Sequence, residues 1–281
     1  MIGRGSKGSG FPPPWPAARL SVMPRLAANL SWLFTEVPFL DRFEAAAAAG
    51  FRAVEFLQPY EFPPGEIAAR LERHGLEHVL FNLPSGDASK GERGLAAVPG
   101  REAEFMLNVE RALDYAKATG CTRLHATAGN ASGSEAEAAY IANLRAAADF
   151  LAPRGITLLI EPLNTRDAPG YFLSTTGAAL RILDRVGRAN VSLQLDLYHC
   201  QIMEGDLARH IRDLAGRFGH VQIAGVPERH EPDTGEVNYE YVLGLLDETG
   251  YAGWVGCEYR PKAGTLAGLG WARAWGISPR T

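Results

Sequence analysis

The sequence predicts an α/β protein built as a single (β/α)8 TIM barrel, and three observations carry that prediction. The 281 residues suit one large domain better than two small ones, because barrels of this kind run to about 250 residues as one unit. From Arg25 onward, short runs rich in branched apolar residues alternate with longer amphipathic stretches, the pattern of βα units around a parallel sheet. Several amphipathic stretches end in a glycine just before the next apolar run, at Gly50, Gly75, Gly120, Gly155 and Gly250. The left-handed residue that closes a helix is cheapest there for glycine.

Taken in order, strands are expected at 26–30, 53–57, 78–82, 123–126, 157–161, 192–196, 220–224 and 254–258, with helices between them. The clearest helix sets Phe105, Val109, Leu113 and Ala116 on one stripe, and the next repeats this with Tyr140, Leu144 and Leu151. An open doubly wound sheet would carry a phosphate-binding glycine loop after its first strand, and none stands there. Gly3, Gly5 and Gly8 spell GxGxxG, but no strand pattern precedes them and no helix pattern follows, so no dinucleotide site is expected. Residues 1–24 read as a disordered extension outside the fold: 1–22 hold Gly, Ser, Pro and basic residues without an apolar period, and Met23 comes just before the first strand. The catalytic barrel is assigned to 25–281.

Hydrophobic residues make up 46% and charged residues 21%, the composition of an ordinary globular protein. A net charge of -4 argues against tracking nucleic-acid phosphates. No apolar run approaches the roughly 20 residues that span a bilayer. Cys121, Cys200 and Cys257 are odd in number and widely spaced, so neither a disulfide framework nor a thiolate zinc site is indicated, and a reducing cytoplasm is expected. The expected partner is a small molecule; homo-oligomerisation is left open.

Chemistry in such a barrel sits at the C-terminal mouth, so polar residues closing the strands matter most. Glu161 closes "TLLIEPLN", Asp196 closes "VSLQLDLYH", Gln222 lies in "HVQIAGVP" and Glu258 closes "WVGCEYRP". Each acid alone reads as a helix cap or a solvated loop charge. Together, at equivalent places on consecutive strands, they read as one site, because a buried carboxylate costs several kcal/mol unless it is paired or bound to a cation. An all-oxygen donor set suits a hard divalent ion, Mg²⁺ or Mn²⁺, better than zinc.

With these residues in view, "ANLSWLFTEVPFLDRF", "LIEPLNTRDAPGYFLSTT", "LQLDLYHCQIMEGD" and "HVQIAGVPERHEPDTGEVNY" resemble, in order, segments of the hydroxypyruvate isomerase family within the xylose-isomerase-like barrels. The resemblance runs from about Arg25 to the C-terminal region. It implies Glu161 and Glu258 as acid/base residues, and Glu161, Asp196, Gln222 and Glu258 as holders of a divalent ion, commonly Mg²⁺. It also implies interconversion of hydroxypyruvate and tartronate semialdehyde through a cis-enediolate. Arg229, in "GVPERHEP", is a candidate fork for the substrate carboxylate. His199, three residues after Asp196, His125, closing the fourth strand, and Asn164 are further candidate substrate contacts. Trp32 and Phe34 are candidate pocket walls.

Rival readings use the same machinery. A 2-oxo-tetronate isomerase needs only a pocket one carbon longer, a difference worth about 1–3 kcal/mol in discrimination. A ketose 3-epimerase needs the same acids and ion. An AP-endonuclease-like metal hydrolase needs several histidine ligands, and Gln222 stands where one is expected.

Overall fold

The computed structural model describes residues 24–279, and among them eight parallel strands close into a barrel in chain order. The strands are β1 (Arg25–Asn29), β2 (Ala53–Phe56), β3 (Glu77–Asn82), β4 (Arg123–His125), β5 (Thr157–Ile160), β6 (Val191–Asp196), β7 (Phe218–Ile223) and β8 (Trp254–Cys257). The ring shuts where β1 pairs with β8, with Arg25 opposite Trp254 and Ala28 opposite Cys257. The helices are α1 (Arg42–Ala48), α2 (Pro64–His74), α3 (Glu102–Thr119), α4 (Gly133–Leu151), α5 (Thr176–Val186), α6 (Leu197–Met203), α7 (Leu207–Asp213), α8 (Tyr239–Glu248) and α9 (Thr265–Gly268). The extension expected at the N-terminus and the string at Gly3, Gly5 and Gly8 lie outside the described residues, apart from Pro24.

Local chemistry sets the helix ends. α2 begins with Pro64, whose missing N–H costs nothing in a first turn, and stops at Gly75 in the left-handed conformation, φ 62°. The Thr175 side chain accepts from Ala178 N and caps α5. The expected stripes are buried: Phe105, Val109, Leu113 and Ala116 on α3, and Tyr140, Leu144 and Leu151 on α4.

Alternation along each strand divides the core in two. One set, including Val54, Phe56, Leu158, Ile160 and Cys257, faces the helices in a continuous apolar layer. The other faces inward, where Ala27, Ala53, Val79, Leu80, Leu159 and Trp254 form a small separate cluster. This cluster is the floor of the barrel. Two residues beyond Ala27, Ala53 and Leu159 stand Asn29, Glu55 and Glu161, and four beyond Trp254 stands Glu258, all buried. The interior therefore changes from apolar to polar toward the mouth, where barrel cores are usually filled by branched apolar side chains. Register shifts on β2 between Val54 and Glu55, and on β6 between Leu193 and Gln194, fall where that change begins. Among the described residues, no helix is long and apolar enough to cross a membrane.

Candidate active site

The two expected catalytic glutamates lie one residue beyond their strands, Glu161 after β5 and Glu258 after β8, rather than as the final strand residues. Past the last ladder bond, the carboxyls reach the mouth while their strands hold the backbone. Both are buried, at 5% and 7% exposure.

Glu161 lies with its Oε2 3.4 Å from His125 Nδ1. Burial raises its pKa well above the usual carboxylate range, and the charges of Asp196 and Glu258 push the same way. Neither ring nitrogen of His125 has a hydrogen-bond partner among the described residues. Burial, aided by His199, lowers the His125 pKa to about 3, so the ring is neutral and offers a donor and an acceptor to whatever enters.

Asp196 both builds and serves the site. Its Oδ1 accepts from the backbone N–H of Tyr198 at 2.7 Å and of His199 at 3.4 Å, capping α6. Its Oδ2 is buried without a hydrogen-bond partner among the described residues. With the Arg229 guanidinium 3.5 Å away but no hydrogen bond made, that acceptor keeps lone pairs that a metal cation would satisfy. Oxygen or nitrogen atoms of Glu161, Asp196 and His199 all lie within 4.8 Å of one another, close enough to share an ion. His199 is less suited to ligation than this proximity suggests. Its Nδ1 accepts from the backbone N–H of Asn164 at 3.0 Å, which leaves the proton of the neutral ring on Nε2. Burial brings its pKa down to about 4, so the ring is neutral near pH 7 and presents Nε2–H toward Asp196 Oδ2, 3.6 Å away.

Asn164, expected as a substrate contact, is wholly buried and has its side chain committed. Its Oδ1 accepts from the backbone N–H of Arg166 and Asp167, and its Nδ2 meets Asp167 and His199 Nδ1. Its backbone N–H and its side chain both meet His199. Gln222, expected as an ion ligand, also has its atoms engaged: Nε2 donates to Glu258 Oε2 at 2.6 Å and Glu55 Oε1 at 2.8 Å, while Oε1 accepts from Gln194 at 2.6 Å. A second lone pair on the Gln222 oxygen remains for an ion beside the bond from Gln194.

Arg229 supplies the cation. Nη2 donates to Glu258 Oε1 at 2.6 Å and lies 3.5 Å from Asp196 Oδ2. Its guanidinium sits 4.7 Å from the centres of both the Trp32 and Tyr198 rings, a cation between two π faces. Burial works against the Arg229 charge, but Glu258, Asp196 and Glu161 outweigh it and hold its pKa above the ordinary value. Burial likewise raises the Glu258 pKa to about 8, against the pull of Arg229 and with the push of Asp196 and Glu55. Trp32, expected as a pocket wall, stacks on Arg229 and has Arg260 5.0 Å from its ring centre. Phe34 instead packs edge-on against Phe51 in the buried core.

Sequence reasoning passed over Glu55, His220, Asn29, Gln194, Tyr198 and Asp167. The Tyr198 hydroxyl donates to Asp167 Oδ2 at 2.9 Å, anchoring one wall of the Arg229 cage. The missed signal at Glu55 was an acid in the middle of the apolar run "AVEF".

A model of the xylose isomerase-like TIM barrel family matches residues 43–275. The chain is 56% identical over 258 residues to the 2-oxo-tetronate isomerase of Cupriavidus necator, covering 90% of this chain and 99% of the relative. It is 47% identical over 253 residues to the hydroxypyruvate isomerase of Escherichia coli, covering 89% and 98%. A solved structure from Brucella melitensis, described as AP endonuclease, family 2, superposes with a TM-score of 0.89 at 56% identity, covering 90% of this chain and 99% of that one.

Proposed function

The chain belongs to the xylose isomerase-like TIM barrel family and is an isomerase, and from that premise we propose that it moves a carbonyl between C2 and C3 of a short hydroxy-oxo acid. The observation that carries this reading is the pair of buried carboxyls, Glu161 and Glu258, brought to one mouth from strands three steps apart, both with raised pKa values. One carboxylate takes the proton from C3 beside the ketone, giving an enediolate. A carboxyl then delivers a proton to C2 while the proton of the C3 hydroxyl passes to the C2 oxygen, leaving a hydroxyl on C2 and the carbonyl on C3. Burial raises both pKa values in the ion-free protein, and a bound cation would draw both carboxyls back toward the ionised form that takes a proton.

Arg229 lies where it can turn its fork from Glu258 and Asp196 toward the substrate carboxylate. His199 Nε2–H and the unpartnered His125 ring are donors for the substrate oxygens. Glu161 and Asp196, with Glu258 and Gln222 beside them, fit a divalent ion such as Mg²⁺ or Mn²⁺, which when bound would polarise the carbonyl and stabilise the enediolate oxygens.

For the substrate, the four-carbon acid comes first, because the chain is 56% identical to a relative named for 2-oxo-tetronate and 47% identical to one named for hydroxypyruvate. The test is NMR of each acid in D₂O with chelated protein and again after Mg²⁺ or Mn²⁺ is restored. Ion-dependent conversion of 2-oxo-tetronate with deuterium entering at carbon supports the proposal. Faster conversion of hydroxypyruvate moves the assignment to the three-carbon acid, and no exchange into either acid by folded, ion-loaded protein defeats it.

A further inference from the structure

Below the mouth, the barrel holds a carboxyl that the reaction does not use. Glu55 on β2 is 1% exposed and points into the barrel. Its Oε1 accepts from Asn29 Nδ2 at 2.9 Å and from Gln222 Nε2 at 2.8 Å. The same two nitrogens donate to Oε2 of Glu258, at 2.9 and 2.6 Å. Two carboxyl oxygens and two amide nitrogens thus make a closed square of hydrogen bonds in which both N–H groups of each amide are used. The other oxygen of Glu55 is hydrogen-bonded to His220 Nε2 at 2.6 Å. β8 makes room for this acid: a Cβ on Gly256, two residues before Glu258, would lie 2.3–2.5 Å from the Glu55 carboxyl atoms.

A carboxamide exchanges its oxygen and nitrogen by a half-turn with almost no change of shape, so its orientation is set by its partners. A turned Asn29 or Gln222 would aim a carbonyl oxygen at an oxygen of the buried Glu258 carboxyl, acceptor against acceptor. Glu55 supplies the second acceptor that makes such a turn doubly unfavourable. We propose that Glu55 is a positioning residue: it holds the nitrogen ends of Asn29 and Gln222 toward Glu258 and so fixes the angle at which that carboxyl meets the substrate. The kinetic part of this proposal rests on the proton-transfer role assigned to Glu258; the geometric part does not.

The experiment compares Glu55→Ala with Glu55→Gln by steady-state kinetics on 2-oxo-tetronate and hydroxypyruvate, and by NMR of the Asn29 and Gln222 side-chain amides. The glutamine keeps an oxygen able to accept from both amides and can turn its own NH₂ toward His220. Glu55→Ala is expected to lower kcat by about ten- to a hundredfold, as lost outer contacts do at comparable sites, with KM within about twofold. Glu55→Gln is expected to recover most of kcat. The two amides should exchange slowly with water in the wild type and in Glu55→Gln, and quickly in Glu55→Ala. Unchanged kcat in Glu55→Ala, equal damage in both variants, or amide exchange that ignores residue 55 overturns the proposal. Should Glu55→Ala not fold, Asn29→Leu removes one side of the square and must lower kcat by a similar factor for the proposal to stand. If the wild type converts neither acid, the reaction assignment fails while amide exchange still decides the positioning.

Discussion

Arg229 and Glu258 meet at 2.6 Å across the gap between the loop after β7 and the end of β8, joining the buried cation to a candidate catalytic acid. The contact depends on an unusual backbone. Arg229 has φ 58°, a left-handed conformation that a side-chain-bearing residue adopts at a cost. Two backbone bonds hold it there, from Arg229 N to Gly225 O at 2.8 Å and from Arg260 N to Arg229 O at 2.7 Å. Strain kept by surrounding bonds aims the guanidinium between Trp32 and Tyr198 and at two carboxyls.

Arg229→Lys should therefore behave as a severe change. Lysine keeps the charge but loses the planar fork and the two-faced stacking. The expected result is KM for the acid substrate raised by about ten- to a hundredfold, the loss of roughly one charge-assisted hydrogen bond, as measured by initial rates. A KM matching the wild type would remove Arg229 from substrate binding.

Glu161→Gln and Glu258→Gln each delete a proton-transfer group while keeping its shape. Each should cut kcat by about 10²–10⁴-fold, with the circular dichroism spectrum unchanged. Near-normal turnover in either variant would end the two-acid assignment.

The pH dependence of stability follows from the raised Glu258 carboxyl, which titrates at about 8 in the fold against about 4.5 for a solvated glutamate. Between those values the folded state binds the proton and the unfolded state does not, so stability falls as pH rises. The contribution is full below about pH 4.5 and gone above about pH 8. Urea midpoints of chelated protein should show wild type losing stability relative to Glu258→Gln as pH rises through this window. A difference that stays flat with pH would mean that burial does not hold this proton.

Asp196→Asn separates the two uses of that residue. Asparagine caps a helix as well as aspartate does, so α6 should form, but the bare anionic oxygen at Oδ2 is gone. Calorimetric titration with Mn²⁺ should show affinity lowered by about tenfold or more at unchanged thermal stability of the ion-free protein. Equal affinity would move the ion away from Asp196.

The chain by itself determined the eight-stranded closure and the approximate strand positions, because period and helix-ending glycines are local properties read within a few residues of one another. It also marked Glu161, Asp196, Gln222 and Glu258, since polar residues at the ends of apolar strands stand out whatever lies across the barrel. What those groups touch was not legible. Glu55 and His220 are 165 residues apart in the chain and 2.6 Å apart in space, and only the closing of β1 on β8 brings opposite strands face to face. The same holds for Asn164, whose side chain is engaged by Asp167 and by a histidine 35 residues on, and for Gln222, whose amide end is chosen by carboxyls on β2 and at the end of β8. Tertiary structure alone decided these, because a buried amide or carboxyl takes its orientation from the donors and acceptors that surround it in space, and their identity depends on the packed ring rather than on neighbours in the chain.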